Sequence, residues 1–489
     1  MESDKQKDNS ENNKKKETKI SGILILKTIV LVILLCTLGV ALYAMYGGFD
    51  KKNKTENGNS GVRESSSSSN DDSTPASASV DLKSEKMAEA EKLAVQYDYE
   101  GAIRKMDEIP GADTDSDIIT KKAEYESAKN SLVPTDPSNI THVFYHSLVV
   151  DPQKAFFQNN NETAGFCQWM TTLDEFNKIT QQMYDRGYVL VDIHELVEES
   201  KDENGVTHVK KKPVMLPQGK TPFVLSLDDV SYYHSYDGRG TASKLVLDDN
   251  ENPTNEYIQD DGKTVTGAYD CIPLIDAFVE QHPDFSYKGS KGTIALTGYD
   301  GILGYRTDIA YKTKDNLSKD QSDWLAAHPD FNWDKECKDA KKVAEAIKAK
   351  GWTFASHTWG HIRIGDATMD HLMTDTQKWK QYVEPLIGET DTIIFAHGQD
   401  LANWNEDYAS TDKFKYLKEQ GFSIFCNVDG SKYFVQQGDL FFRMGRRNLD
   451  GYRLYQCVYA GSDKLNDLFD PASVWDQRRP TDPALYTIS

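Results

Sequence analysis

Two adjacent carboxylates, Asp228 and Asp229, stand where an apolar run ends. That run, Phe223-Val224-Leu225-Ser226-Leu227, follows Pro222 and reads as a buried strand of an α/β core. Side chains at the carboxyl end of such a strand face the ligand crevice. Like charges so close resist joint ionisation, and a cation between them is the simplest remedy. Further on, residues 352–356 read as another strand ending in SHTWGH, which sets His357 and His361 four apart. Two imidazoles at that spacing converge on a helix face or in a tight loop after a strand. Asp229, His357 and His361 then offer one oxygen and two nitrogens, with positions left for water and substrate. Such a set suits hydrolytic Zn²⁺, with Co²⁺, Ni²⁺ or Mn²⁺ as further divalent choices. An Asp-Asp turn and a chance histidine pair are the plain alternative. Against it, both groups follow strand ends and so can share one rim.

The elements that would position them alternate. Strands are expected at 140–145, 187–191, 223–227, 292–297, 352–356, 392–396 and 422–426. Helices are expected at 173–186, 272–281, 340–350, 379–386 and 413–420. Repeated alternation predicts an α/β fold, a parallel barrel or sheet with right-handed crossovers. Residues 201–212 read as a polar hairpin or loop, and the Gly/Asp/Asn-rich stretch 235–269 as an inserted loop.

From about residue 140 to 461 the chain resembles the polysaccharide deacetylases with a NodB-homology domain, the fourth carbohydrate-esterase family. Tyr145-His146-Ser147 matches the family's opening strand end, and Ser226-Leu227-Asp228-Asp229-Val230 its Thr-Phe-Asp-Asp-Gly signature. Residues 356–361 match its Ser-His-Thr-x-x-His, approached by a helix and Gly351-Trp352. The resemblance implies a distorted (β/α) barrel and a metal-dependent hydrolase that removes N-acetyl groups from a polysaccharide. By it, Asp228 is the general base and Asp229, His357 and His361 hold the metal. Departures are visible too. Val230 replaces a glycine, and the third motif reads Phe395-Ala396-His397-Gly398-Gln399, without its proline. The late leucine–histidine motif that supplies the acid is not recognisable, so His397 is the first choice for general acid and His146 the second. The arginine that orients the base is expected at Arg446, with Arg443, Arg447 and Arg306 behind it. Tyr232, Trp359 and Trp404 are candidate sugar-stacking faces. Two other readings stay open: a polysaccharide O-acetyl esterase, or a decayed deacetylase frame that binds glycan or serves as a scaffold.

The remainder of the chain concerns location. Residues 1–19 are lysine-rich and read as a cytoplasmic tail. Residues 28–46 carry no charge, and 20–46 together match the roughly 20 residues that span a bilayer. The lysine bias keeps the N-terminus inside, which predicts a single-pass cell-membrane protein with its bulk extracytoplasmic. A cleaved signal peptide is the alternative. Residues 47–80, with serines at 65–69, read as a disordered linker. Residues 81–132 read as a helical stalk or a hairpin like one tetratricopeptide unit, and 138–489 as the deacetylase-like domain. With 489 residues and a net charge of -21, the protein lacks the basic stripe that nucleic acid needs. The six cysteines are scattered and give no disulfide or zinc-finger spacing, although a Cys426–Cys457 bridge is conceivable.

Overall fold

Seven short runs, all but the last rich in β-branched and aromatic residues, build the central sheet: β1 (Thr141–Tyr145), β2 (Thr221–Leu227), β3 (Thr293–Leu296), β4 (Thr353–Ser356), β5 (Thr392–Ile394), β6 (Ile424–Val428) and β7 (Phe442–Asn448). Each is parallel to the next in sequence, and β7 pairs back onto β1. The sheet therefore closes into a parallel barrel. Closure is uneven, because β2 pairs with β3 only at Ser226 and Leu227, while a short strand, Tyr188–Leu190, takes its lower half. The computed structural model describes residues 75–158, 162–404 and 406–487. The expected anchor at 20–46, the tail before it and the first part of the linker lie outside the described residues. Among those described, no helix is long and apolar enough to cross a membrane.

The barrel interior is filled by Val224, Ala295, Ala355, Ile394, Ile424, Cys426, Phe442 and Met444. These are the inward positions of strands buried on both faces, hence the near-continuous apolar runs. Above this plug the register brings His142 beside Arg446, and Ser226 joins them, so a polar layer lies just under the rim. The principal helices around the outside are α4 (Leu173–Asp185), α5 (Cys271–Gln281), α6 (Trp333–Ala349), α7 (Met369–Tyr382), α8 (Asp412–Glu419) and α9 (Gly451–Tyr459). A capping box between Thr172 and Glu175 starts α4. Glu175 also binds the buried Arg479 at 2.7 Å, which ties the C-terminal tail to the barrel wall.

Before the barrel come α1 (Pro75–Val95), α2 (Tyr99–Asp107) and α3 (Ser116–Asn130). Helix α1 begins inside the stretch expected to be linker. The hairpin of α1 and α2 forms around Ala90, Ala94, Ala102 and Met106, and α3 adds Ile118 and Tyr125. These helices dock on the barrel. Tyr97 is buried in the same cluster as Ile140 and Val189. Its hydroxyl donates to the Asp284 carbonyl at 2.8 Å, and the Lys288 N–H donates to the Gln96 carbonyl at 2.8 Å. The region 235–269 is corrected. It folds as an antiparallel sheet of Lys244–Leu247, Pro253–Ile258 and Thr264–Gly267. Its first turn is made by Asp248, whose carboxylate accepts the N–H groups of Asn250 and Asn252. That turn chemistry looks like loop composition in the bare sequence. The described cysteines, Cys426 and Cys457 among them, are free thiols.

Candidate active site

The carboxylate pair leaves β2 through a tight turn. Asp228 N–H donates to the Tyr145 carbonyl at 2.8 Å, continuing the ladder with β1. Asp229 then takes φ +57°, and the Ser231 N–H returns to its carbonyl at 2.6 Å. This reversal sends the two side chains to different partners. Val230 keeps a negative φ and is buried, and the left-handed step falls on Asp229.

Asp228 faces Arg446 on β7. Nη1 and Nη2 reach Oδ1 and Oδ2 at 2.7 and 3.0 Å, and Nη1 also donates to Ser226 Oγ at 3.0 Å. Arg446 is fully buried, with its guanidinium 4.2 Å from the centroid of the Phe144 ring. Burial works to raise the Asp228 carboxyl, but Arg446, aided by His357, holds it well below the usual carboxylate range. The repulsion read from the sequence is thus answered for Asp228 by a guanidinium. The other candidate arginines are engaged elsewhere. Arg443 binds Asp400 at 2.7 Å, Arg447 binds Asp467 at 2.7 Å, and Arg306 donates to the Tyr232 carbonyl at 2.7 Å.

The histidines are placed by the loop after β4. Thr358 and His361 both take positive φ, at +63° and +50°. Asp375 on α7 accepts the N–H groups of Trp359 and Gly360 at 2.9 and 2.6 Å. Gly298 and Tyr299, just beyond β3, both donate to the Trp359 carbonyl at 2.8 Å. A Cβ on Gly298 would lie 2.1 Å from the Trp359 ring, so only glycine allows this approach. Clamped from both sides, the loop points both imidazoles inward. His357 Nδ1 donates to the Ile394 carbonyl at 2.7 Å, which leaves Nε2 as a lone-pair donor. Burial pushes the His357 imidazole down to about 4, so it is neutral at pH 7.

Asp229, His357 and His361 bring one donor atom each to within 4.8 Å of one another. Tetrahedral arms of about 2.0–2.2 Å set neighbouring donors roughly 3.3–3.5 Å apart. Asp229 Oδ2 and His361 Nε2 stand 3.7 Å apart, too far for a hydrogen bond and close to that spacing. The tautomer of His357 and this separation both fit a small divalent cation. Burial opposes ionisation of Asp229 too, yet His361 and His357 hold its carboxyl below the usual value.

His146 follows β1, between the strands that carry Arg446 and Asp228. Its Nδ1 sits 3.1 Å from the Trp169 carbonyl, and its charge reaches both Asp228 and Asp229. His397 lies on the far side, after β5. It is exposed, its ring centroid is 4.3 Å from that of His361, and its Nε2 donates to the His361 carbonyl at 3.2 Å.

The aromatic candidates fare differently. Tyr232 is corrected: it is 3% exposed, its hydroxyl accepts from Asn255 at 3.2 Å, and it packs in the core. It points inward because the chain reverses between it and Tyr233, with Tyr232 at φ +46°. Trp359 borders the cleft, but Lys378 Nζ stands 4.0 Å over its ring and covers one face. Trp404 is 72% exposed on the loop after β5, held through its carbonyl by Gln436. Sequence reasoning missed Tyr233 and Tyr299, which stack at 5.1 Å and line a cleft of ≈ 720 Å³ with Trp359 and Tyr236. It also missed Asp375. The Tyr232-Tyr233 pair was the available signal, but which of two neighbours faces out depends on the turn.

Fold and site together define a parallel β/α barrel with a two-histidine, one-carboxylate centre at its carboxyl rim. No family model and no curated protein matches the chain. Among solved structures it is similar to the Streptococcus pyogenes deacetylase PplD in complex with acetate (14% identity, 65% of this chain and 94% of that one, TM-score 0.33). It is also similar to a polysaccharide deacetylase from Bacillus cereus (12% identity, 65% of each chain, TM-score 0.30). A third is the BpsB deacetylase domain from Bordetella bronchiseptica (9% identity, 64% of this chain and 98% of that one, TM-score 0.32). At such identities no chemistry transfers from one chain to another, and the side chains of this site must carry it.

Proposed function

We propose that this protein is a divalent-metal-dependent hydrolase that removes N-acetyl groups from an extracytoplasmic polysaccharide, held at the cell membrane by residues 20–46. The observation that carries the reading is the meeting of Asp229, His357 and His361 beside an Asp228 oriented by Arg446. A divalent ion held by the three, Zn²⁺ by choice of ligands, would polarise the acetamide carbonyl and acidify water. Asp228, whose ionised form Arg446 favours, would serve as the proton acceptor; each oxygen retains a lone pair beyond its bond to the guanidinium. His146 is the better-placed acid for the departing amine. Its ring is fixed through Nδ1, which leaves Nε2 to donate once the imidazole is protonated. His397 instead commits Nε2 to a backbone carbonyl. Tyr299 and Trp359, both half-buried along the cleft, supply apolar ring surface beside the centre, the kind of wall on which a sugar packs.

The test is metal content and acetate release together. The zinc-loaded full chain is expected to bind one ion and release acetate from N-acetylated glycan, with peptidoglycan and chito-oligosaccharide as probes. Asp229→Ala is expected to lose both. An Asp229→Ala variant with full metal content and full activity would refute the assignment. Acetate released only from acetylated xylan would move the reaction to an ester.

A further inference from the structure

Three buried hydroxyls lead in single file to the proposed metal carboxylate. Ser231 Oγ lies 2.9 Å from Thr297 Oγ1, Thr297 Oγ1 lies 2.9 Å from the Tyr233 hydroxyl, and that hydroxyl lies 3.2 Å from Asp229 Oδ1. Ser231 and Thr297 are fully buried, and Tyr233 nearly so. An ionised carboxylate only accepts, so Tyr233 must donate to Asp229. Its single proton being spent there, Tyr233 can only accept from Thr297, and by the same logic Thr297 accepts from Ser231. The direction of every bond in the file is therefore forced. Hydrogen bonds aligned head to tail polarise one another, which strengthens the last one. Residues on two adjacent strand ends contribute: Ser231 and Tyr233 follow β2, and Thr297 follows β3. Tyr233 is further held flat against Tyr299, with rings 5.1 Å apart and 20° from parallel.

The consequence falls on the shape of the metal site. Oδ1 of Asp229 receives the hydroxyl, while Oδ2 is the oxygen turned toward His361 at 3.7 Å. We infer that the Ser231–Thr297–Tyr233 file is a positioning element that restricts Asp229 to one-oxygen coordination, and that it thereby sets metal affinity and coordination number. This rests on the metal reading above. Without the file, the carboxylate is free to rotate about its terminal torsion and offer both oxygens to the ion. A carboxylate offering both oxygens would favour larger, oxygen-seeking ions. Groups behind the ligands commonly change metal affinity about 10–100-fold when removed.

The experiment uses Tyr233→Phe, which keeps the ring and its stacking and deletes one oxygen. Thr297→Val is the second variant and interrupts the file one step back. Zn²⁺ affinity is measured by chelator competition, and the visible spectrum is recorded with Co²⁺ in the site. Tyr233→Phe is expected to bind Zn²⁺ about 10–100-fold more weakly, with Thr297→Val falling between it and the parent. Both should give weaker cobalt d–d bands, since five- and six-coordinate Co²⁺ absorbs less than tetrahedral Co²⁺. The metal-free melting temperature should hardly move. Unchanged affinity and an unchanged cobalt spectrum in Tyr233→Phe, against a parent that binds, would overturn the inference alone. A parent that binds neither ion would overturn the metal reading, and this inference with it.

Discussion

Arg446 grips both oxygens of Asp228 from below the rim and favours the ionised carboxylate against the burial that opposes it. His146 and His397 stand on opposite flanks of the centre, which makes them separable. We expect His146→Gln to lower kcat by about 10²–10⁴-fold with metal content intact. His397→Gln should stay within a few-fold of the parent. Acetate release and metal content measured on both variants check this, and the opposite pattern would assign the acid to His397. Trp404 belongs to neither flank and is exposed on its loop.

The loop after β4 holds its shape through contacts with two neighbouring elements. Asp375 of α7 caps its backbone, and Gly298 beyond β3 lets the Trp359 ring lie flat on the chain. A methyl group at Gly298 has nowhere to go, because the ring it meets is wedged between the loop and Lys378. Overpacking of this kind costs about 1–3 kcal/mol. Gly298→Ala should therefore lower the melting temperature and, by shifting Trp359, displace both His357 and His361. Differential scanning calorimetry and zinc titration on the same sample test the two halves of that expectation. A stable variant that binds zinc as tightly as the parent would show that the loop does not depend on this contact.

Across the whole molecule the barrel is closed differently at its two ends. The rim carries the chemistry, while near the opposite ends of β4 and β5 an ionic clasp joins the wall. His194 lies between Asp192 and Asp391, with Nδ1–Oδ1 at 2.5 Å and Nε2–Oδ1 at 2.9 Å. Thr353 of β4 donates to Asp192 at 2.9 Å, and Thr392 of β5 donates to Asp391 at 2.9 Å. Burial works against the charged imidazole, but the two carboxylates outweigh it and raise His194 well above its ordinary value. A raised folded value means that the clasp contributes fully below about pH 6.5, the unfolded value. Its contribution declines as pH climbs from there and vanishes above the folded value. Melting temperature followed from pH 6 upward should thus fall more steeply for the parent than for His194→Gln. Parallel curves would mean that the clasp is not charged. The docked helices α1 to α3 belong to this scale as well, since Tyr97 joins their core to the barrel's.

Local patterns were enough for much of this molecule. Alternating apolar runs and amphipathic stretches marked the seven barrel strands except β7, whose arginines hid it: Arg443 and Arg446 are buried inside a strand that reads as polar. Asp228, Asp229, His357 and His361 were legible because strand ends and short spacings are one-dimensional facts. What required the folded chain was everything that depends on which strands become neighbours. Arg446 was already the first of four candidate arginines in the sequence, but the contact that singles it out exists only because β7 closes onto β1. Tyr233 rather than Tyr232 faces the centre because one left-handed residue turns the backbone between them. The order of residue types along the chain settles what chemistry is affordable. Barrel closure and two or three backbone reversals settle which of those residues meet, because side-chain direction is set by dihedral angles and register, and neither is written in composition.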